Sequence, residues 1–238
     1  MSRLEIIPVH GIGEVERRSD VAAMIAEAAA AQNTPLRDGD AVVVTQKVVS
    51  KAEGAMVQVD PADPLSHKPV VEAESRRILR RRGELIISET RHGFVCANAG
   101  IDLSNVDRGW AALLPDDPDR SARRLRDQFR GRHGVNVAVV VSDTFGRPWR
   151  RGVTDVAIGS AGLVPVLDLR GTTDAYGREL MVTEVCVVDE VAAAAELVMG
   201  KALGVPAAIV RGLDPAWFSD RGGVLTDVVR APADDLFR

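Results

Sequence analysis

A mixed α/β fold is predicted by three features of the 238-residue chain. Residues 137–141, 41–45 and 207–210 are short runs of valine, isoleucine and alanine, with Thr45 closing the second, the pattern of strands buried on both faces. They alternate with helix-like stretches at residues 21–31, 120–133 and 190–199. Several of the strands end in charged or hydroxyl side chains beside glycine, where open, largely parallel α/β sheets hold their ligands.

In chain order, residues 4–9 (LEIIPV) form a strand that breaks at Gly11-Ile12-Gly13-Glu14. An alanine-rich helix over 21–31 follows, with Ser19 or Asp20 placed to cap it. Strand, glycine turn and helix is a layout in which backbone N–H groups meet a phosphate, and an ordinary loop fits it equally well. It matches neither the Walker pattern nor the dinucleotide fingerprint. The strand 41–45 runs into Gln46, Lys47, Ser50 and Lys51. These two lysines reach toward one phosphate, or one of them pairs with Glu53. Residues 60–69, with three prolines, read as a loop, and 70–82 as an arginine-rich amphipathic helix. Strands follow at 84–90 and 92–97. The polar loop from Asn98 to Val106 carries Asp102, Ser104 and Asn105, which serve either as an Asx turn or as contacts for a metal and a ribose. The acidic turn at 115–119 caps the helix 120–133, its charges reading as capping and solvation.

The strand at 137–141 ends in Ser142-Asp143-Thr144, then Gly146, Arg147, Arg150 and Arg151. Asp143 and Thr144 offer hard oxygens to Mg²⁺ or Mn²⁺, and the arginines offer planar forks to phosphate or carboxylate. A capped turn with solvated arginines is the other reading. Residues 154–162 (TDVAIGSAG) are small and predict tight packing. A strand at 164–169, a glycine loop at 171–179, a strand at 181–189 and the helix 190–199 lead to the last strand, 207–210. The tail after Asp214 carries no strong signal.

Composition narrows the class. Hydrophobic residues are 46% and charged residues 27%, ordinary for a soluble globular protein. A net charge of −4 argues against general nucleic-acid binding, and the arginine clusters at 76–82 and 120–130 read as solvated faces, with steering of an anionic substrate as the alternative. Cys96 and Cys186 lack metal-ligand spacing and read as buried free thiols in a reducing cytoplasm. No apolar run reaches the ~18 residues of a membrane span. His10, His67, His92 and His133 are scattered, and no nucleophile elbow is present. Three strand ends, 45–51, 98–105 and 142–151, suggest one shared crevice for an anion and a cation. From the residues alone, the reading stops at an α/β enzyme binding a phosphorylated ligand through a divalent metal.

The segments IIPVHGIGEV, RDGDAVVVTQKVVSKAEG, NAGIDLSNV, VVVSDTFGRPWRRGVTDVAIGSAGL, DAYGRELMVTEVCVVDEVAAAAELVMGK and AAIVRGL, in this order, resemble the coenzyme F420-0:L-glutamate ligases. The resemblance implies an α+β fold over residues 1–238 as one family unit: a two-lobed subunit in an intertwined homodimer. It also implies GTP-dependent amide formation in coenzyme F420 biosynthesis, with a carboxylate of the F420-0 tail activated as an acyl phosphate and attacked by L-glutamate. GTP would be the co-substrate, with Mg²⁺ or Mn²⁺ at two sites and K⁺ as a further ion. By position, nucleotide contacts fall on Ile12, Gly13, Glu14, Val15, Gln46, Lys51 and Asn105, and metal ligands on Asp102, Asp143 and Thr144. Asp143 and Lys51 would carry catalysis, and Arg147, with Arg150 and Arg151, would meet the anionic tail or glutamate. Gln46 stands where some relatives carry serine. The VMGKALGVP segment is shorter than in some archaeal relatives, so no site is carried onto Lys201. The chain ends at DLFR, about where the nitroreductase-like half of the long actinobacterial enzymes would begin. A non-catalytic module holding the F420 tail, and a ligase acting on another phosphorylated carboxylate, remain as alternatives.

Overall fold

The structure, a computed structural model, describes residues 3–235. The first half contains β1 (Glu5–Pro8), α1 (Val21–Ala31), β2 (Ala41–Thr45), α2 (Gln46–Glu53), β3 (Met56–Gln58) and α3 (Lys68–Glu74). It continues through β4 (Ser75–Arg82), β5 (Leu85–Thr90), β6 (Val95–Ala97) and β7 (Trp110–Ala112). The second half contains α4 (Pro118–His133), β8 (Ala138–Gly146), β9 (Val153–Leu163), β10 (Val166–Asp168) and β11 (Glu184–Cys186). It ends with α5 (Val187–Met199), β12 (Ala207–Arg211) and β13 (Phe218–Ser219).

The architecture is mixed α+β. Among the described residues six strands form the main sheet, in the order β1-β12-β2-β8-β9-β13. Val42, Val43 and Val44 on β2 and Val139, Val140 and Val141 on β8 are all fully buried. Successive side chains of a strand point to opposite faces, so both faces of this sheet are covered. Helices α4 and α5 pack on it, and α1 packs on α4. A separate three-stranded sheet, β4-β5-β6, carries β4 at its edge.

Two expectations need correction. The sheet is not largely parallel: among the described residues only the β2–β8 pair is parallel, and the pairs β1–β12, β12–β2, β8–β9 and β9–β13 are antiparallel. Burial on both faces does not fix strand direction, which here is set by the β8–β9 hairpin. The second correction concerns residues 70–82. The helix ends at Glu74, and Ser75–Arg82 is a strand that turns through Gly83 (φ +55°) into β5. Its arginines are exposed, so neither helical nor alternating burial marks it in the sequence.

Smaller shifts follow the same logic. Helix α5 starts at Val187, earlier than expected, and the preceding strand shrinks to Glu184–Cys186. The polar residues that follow β2 form the helix α2, Gln46–Glu53. Asp117 caps α4 as expected, accepting from the Arg120 N–H at 2.8 Å. Asp119, however, is buried rather than solvated, and accepts from the backbone of Ser160, Val224 and Leu225. It fastens the tail after Asp214, silent in the sequence, to β9. Cys96 is buried and Cys186 half-buried, both free, and burial pushes each thiol up to about 12. Among the described residues no helix is long and apolar enough to cross a membrane.

Candidate active site

A cleft of about 400 Å³ opens at the ends of β2 and β8, a size typical of small-molecule sites. Five segments distant in the chain build it: the loop 12–15 after β1, the start of α2, Asp102 and Asn105 beyond β6, the end of β8 with Asp155 of β9, and the end of α5 with residues 200–206. The expected residues Ile12, Gly13, Glu14, Val15, Gln46, Lys51, Asp102, Asn105, Asp143 and Thr144 all line it. Arg147, Arg150 and Arg151 do not. They are exposed at the far tip of the β8–β9 hairpin, because the strand continues past Thr144 to Gly146 and carries them away.

The lysines are held by carboxylates. Lys47 Nζ lies 2.8 Å from Asp102 Oδ2 and 3.0 Å from Ser104 Oγ. Lys51 Nζ bonds Glu14 Oε1, not Glu53, whose carboxylate accepts from Ser121 Oγ at 2.7 Å. Asp102 also accepts from the Ser104 N–H at 2.7 Å, so the Asx turn and the site-facing carboxylate coexist. Gln46 is buried, and its Nε2 donates to Leu113 O at 2.6 Å and to Ser50 Oγ at 2.7 Å. Its amide nitrogen is therefore committed to the interior. The first turn of α2 has no side-chain cap, which leaves helix N–H groups for a ligand at the cleft.

On β8, Asp143 turns to the face opposite Ser142 and Thr144. Ser142 Oγ donates to Asp155 Oδ2 at 2.9 Å, and Thr144 Oγ1 donates to Asp155 Oδ1. Thr144 and Asp155 are register partners across the hairpin. Asp143 Oδ1 accepts the Thr144 N–H at 2.8 Å.

Electrostatics distinguish the two metal-type aspartates. Burial would raise Asp102, but Lys47 and Ser104 outweigh it and hold its carboxyl below the usual range. Burial pushes Asp143 up to about 7, against the pull of the Thr144 N–H and Lys201, with the charges of Asp102 and Asp155 adding to the rise. Glu196 is likewise raised by burial and by Asp155. Among the described residues, five carboxyl groups line the cleft against three ammonium groups. A phosphate entering alone would meet this excess of negative charge, whereas a divalent cation would relieve it.

The donors fit such a cation. Carboxylates and a hydroxyl are the hard oxygens that Mg²⁺ and Mn²⁺ take. Among the described residues no three His, Cys, Asp or Glu side chains are gathered closely enough to form a closed metal cage. Mg²⁺ keeps several waters and binds through one or two carboxylates plus substrate phosphates. Asp102 with Asp143, and Thr144 on the other face of β8, are the residues that would hold it.

Residues 11–212 match the family model described as F420-0:Gamma-glutamyl ligase. The chain is 44% identical to the coenzyme F420:L-glutamate ligase of Methanothermobacter thermautotrophicus, covering 99% of both chains. It is 42% identical to that of Methanopyrus kandleri over 99% of this chain and 97% of the relative. The Methanocaldococcus jannaschii protein of the same name is 37% identical over 86% of each. The chain belongs to the F420-0:gamma-glutamyl ligase family. It is therefore a ligase, and the cleft is the candidate active site of a family member.

The sequence reading placed the strand end from Ser142 in the crevice but did not assign Asp155, Glu196 or Lys201 to it. Asp155 lay within a segment read only as tight packing, although pairing residues 142–146 with 153–157 as a hairpin would have placed it beside Thr144. Lys201 enters because α5 ends at the cleft mouth, a tertiary fact with no local signal.

Proposed function

We propose that this chain uses GTP to join L-glutamate to coenzyme F420-0 through an amide bond. The observation that carries the reading is the convergence of hard oxygen donors, lysines and uncapped helix N–H groups in one cleft of a ligase-family chain. The relatives' name supplies the coenzyme and the amino acid.

A carboxylate does not form an amide in water without activation. In this reading a carboxylate oxygen of the F420-0 tail attacks the γ-phosphorus of GTP, and GDP departs. The glutamate nitrogen then attacks the acyl carbon of the resulting acyl phosphate, inorganic phosphate leaves with the C–O bond, and the amine proton passes to solvent. The loop 12–15, Gln46 and Asn105 seat the nucleotide, and Lys51, exchanging Glu14 for phosphate, acts as a point cation. Asp102, Asp143 and Thr144 hold Mg²⁺ or Mn²⁺, which when bound neutralises phosphate charge as it develops. Exposed Arg147, Arg150 and Arg151 meet the acidic substrates as they approach. The working unit is a cytoplasmic homodimer of two-lobed subunits, with residues 1–238 acting as one unit and K⁺ as an accessory ion.

Chelation tests the coupling of nucleotide to cation. GTP binding, followed by calorimetry, is expected to weaken on the order of 100-fold when Mg²⁺ is replaced by EDTA, because the cleft's carboxylates then repel the triphosphate. Equal binding in EDTA would remove the cation from the nucleotide site.

A further inference from the structure

We infer that Asp155 is the positioning residue for the Thr144 hydroxyl, turning its oxygen lone pairs toward a divalent cation in the cleft. The inference rests on the proposed cation site, which it deepens, and on the geometry of one buried carboxylate. Asp155 is 3% exposed, and each of its two oxygens accepts a hydroxyl hydrogen: Oδ2 from Ser142 and Oδ1 from Thr144. A carboxylate only accepts, so both hydroxyl hydrogens are committed to it. Thr144 Oγ1 then presents lone pairs, not a proton, to the cleft that it lines. Ion-binding groups are commonly oriented in this way by an outer partner. The register of the β8–β9 hairpin sets Asp155 opposite Thr144, so the contact is held by the sheet rather than by a loop.

Asparagine at 155 keeps the shape but replaces one acceptor with an NH₂ donor. One of the two hydroxyls must then accept from it and send its own hydrogen elsewhere, and for Thr144 the free direction is the cleft. Metal-free Asp155→Asn is expected to keep the wild-type circular dichroism and thermal midpoint. Its uptake of Mn²⁺ alone, followed by loss of the free-ion electron paramagnetic resonance signal, should weaken by about 10–100-fold. Thr144→Val should lose a similar factor. The double variant should bind no more weakly than Thr144→Val, because Asp155 acts through that hydroxyl. Wild-type affinity in a folded Asp155→Asn, or additive losses in the double variant, would overturn the inference while leaving the cation site intact. If the wild-type protein takes up no Mn²⁺, the cation site itself fails and this inference with it. Should Asp155→Asn not fold, Thr144→Ser, still able to donate to Asp155, is expected to bind within about 3-fold of wild type while Thr144→Val does not. Equal binding by both would overturn the inference.

Discussion

Asp143→Asn is expected to lower turnover on the order of 10³-fold and at the same time to make the metal-free protein more stable at pH 8. The two effects share one cause. In the fold Asp143 titrates near 7, because burial and the neighbouring charges of Asp102 and Asp155 disfavour its ionised form. In the unfolded chain it titrates near 3.9. Below about pH 4 the group is protonated in both states and contributes nothing to stability. As pH rises toward 7 the unfolded state releases its proton first, so stability falls, and above 7 the full cost remains. Asparagine never ionises and keeps an oxygen for the Thr144 N–H. The variant should therefore gain on the order of 4 kcal/mol at pH 8, shrinking toward zero near pH 4. Saturating Mn²⁺ should raise the wild-type melting temperature and leave the variant nearly unmoved. Melting curves at pH 4, 6 and 8, with and without Mn²⁺, read all of this. A variant less stable than wild type at pH 8 would contradict the assignment of Asp143 as a carboxylate strained for a cation.

The second large effect lies beneath the site. At Gly159 the N-terminus of α4 comes so close to β9 that an added Cβ would stand 2.3 Å from the Pro118 carbonyl carbon and oxygen and 2.8 Å from the Asp119 nitrogen. These are backbone atoms and have no rotamer by which to yield. Asp119, in the same turn, holds the backbone of Ser160, Val224 and Leu225, so moving the helix end disturbs β9 and the tail together. Gly159→Ala is expected to cost about 3 kcal/mol and to lower the melting temperature by roughly 6–12 °C. Scanning calorimetry checks it, and an unchanged midpoint would mean that the contact is looser than the structure places it.

That close approach was partly legible: the run AIGSAG says that something packs near β9 but not what. Strands with both faces buried were legible as well, since residues 41–44, 137–141 and 207–210 are apolar without interruption, and so were the polar residues that follow the first two. Direction was not, because burial of successive valines is the same in a parallel and an antiparallel neighbour. The RRILRRR strand was misread as helix because no buried face imposes a period on it, and its pairing with β5 decides its conformation. Arg147 was misplaced through a strand end set at Val141, whereas β8 runs on to Gly146. Asp155 and Asp119 act through partners that lie 11 to 106 positions away, and only the folded chain brings those partners together.

The most direct test of the central claim is an incubation of the purified chain with F420-0, L-glutamate, GTP and Mn²⁺, reading GDP release together with the mass of the coenzyme product. The account predicts GDP release that requires both acceptor and amino acid, and a product heavier by one or more glutamyl units. GTP bound without turnover, or GDP released with no glutamyl product, would contradict it.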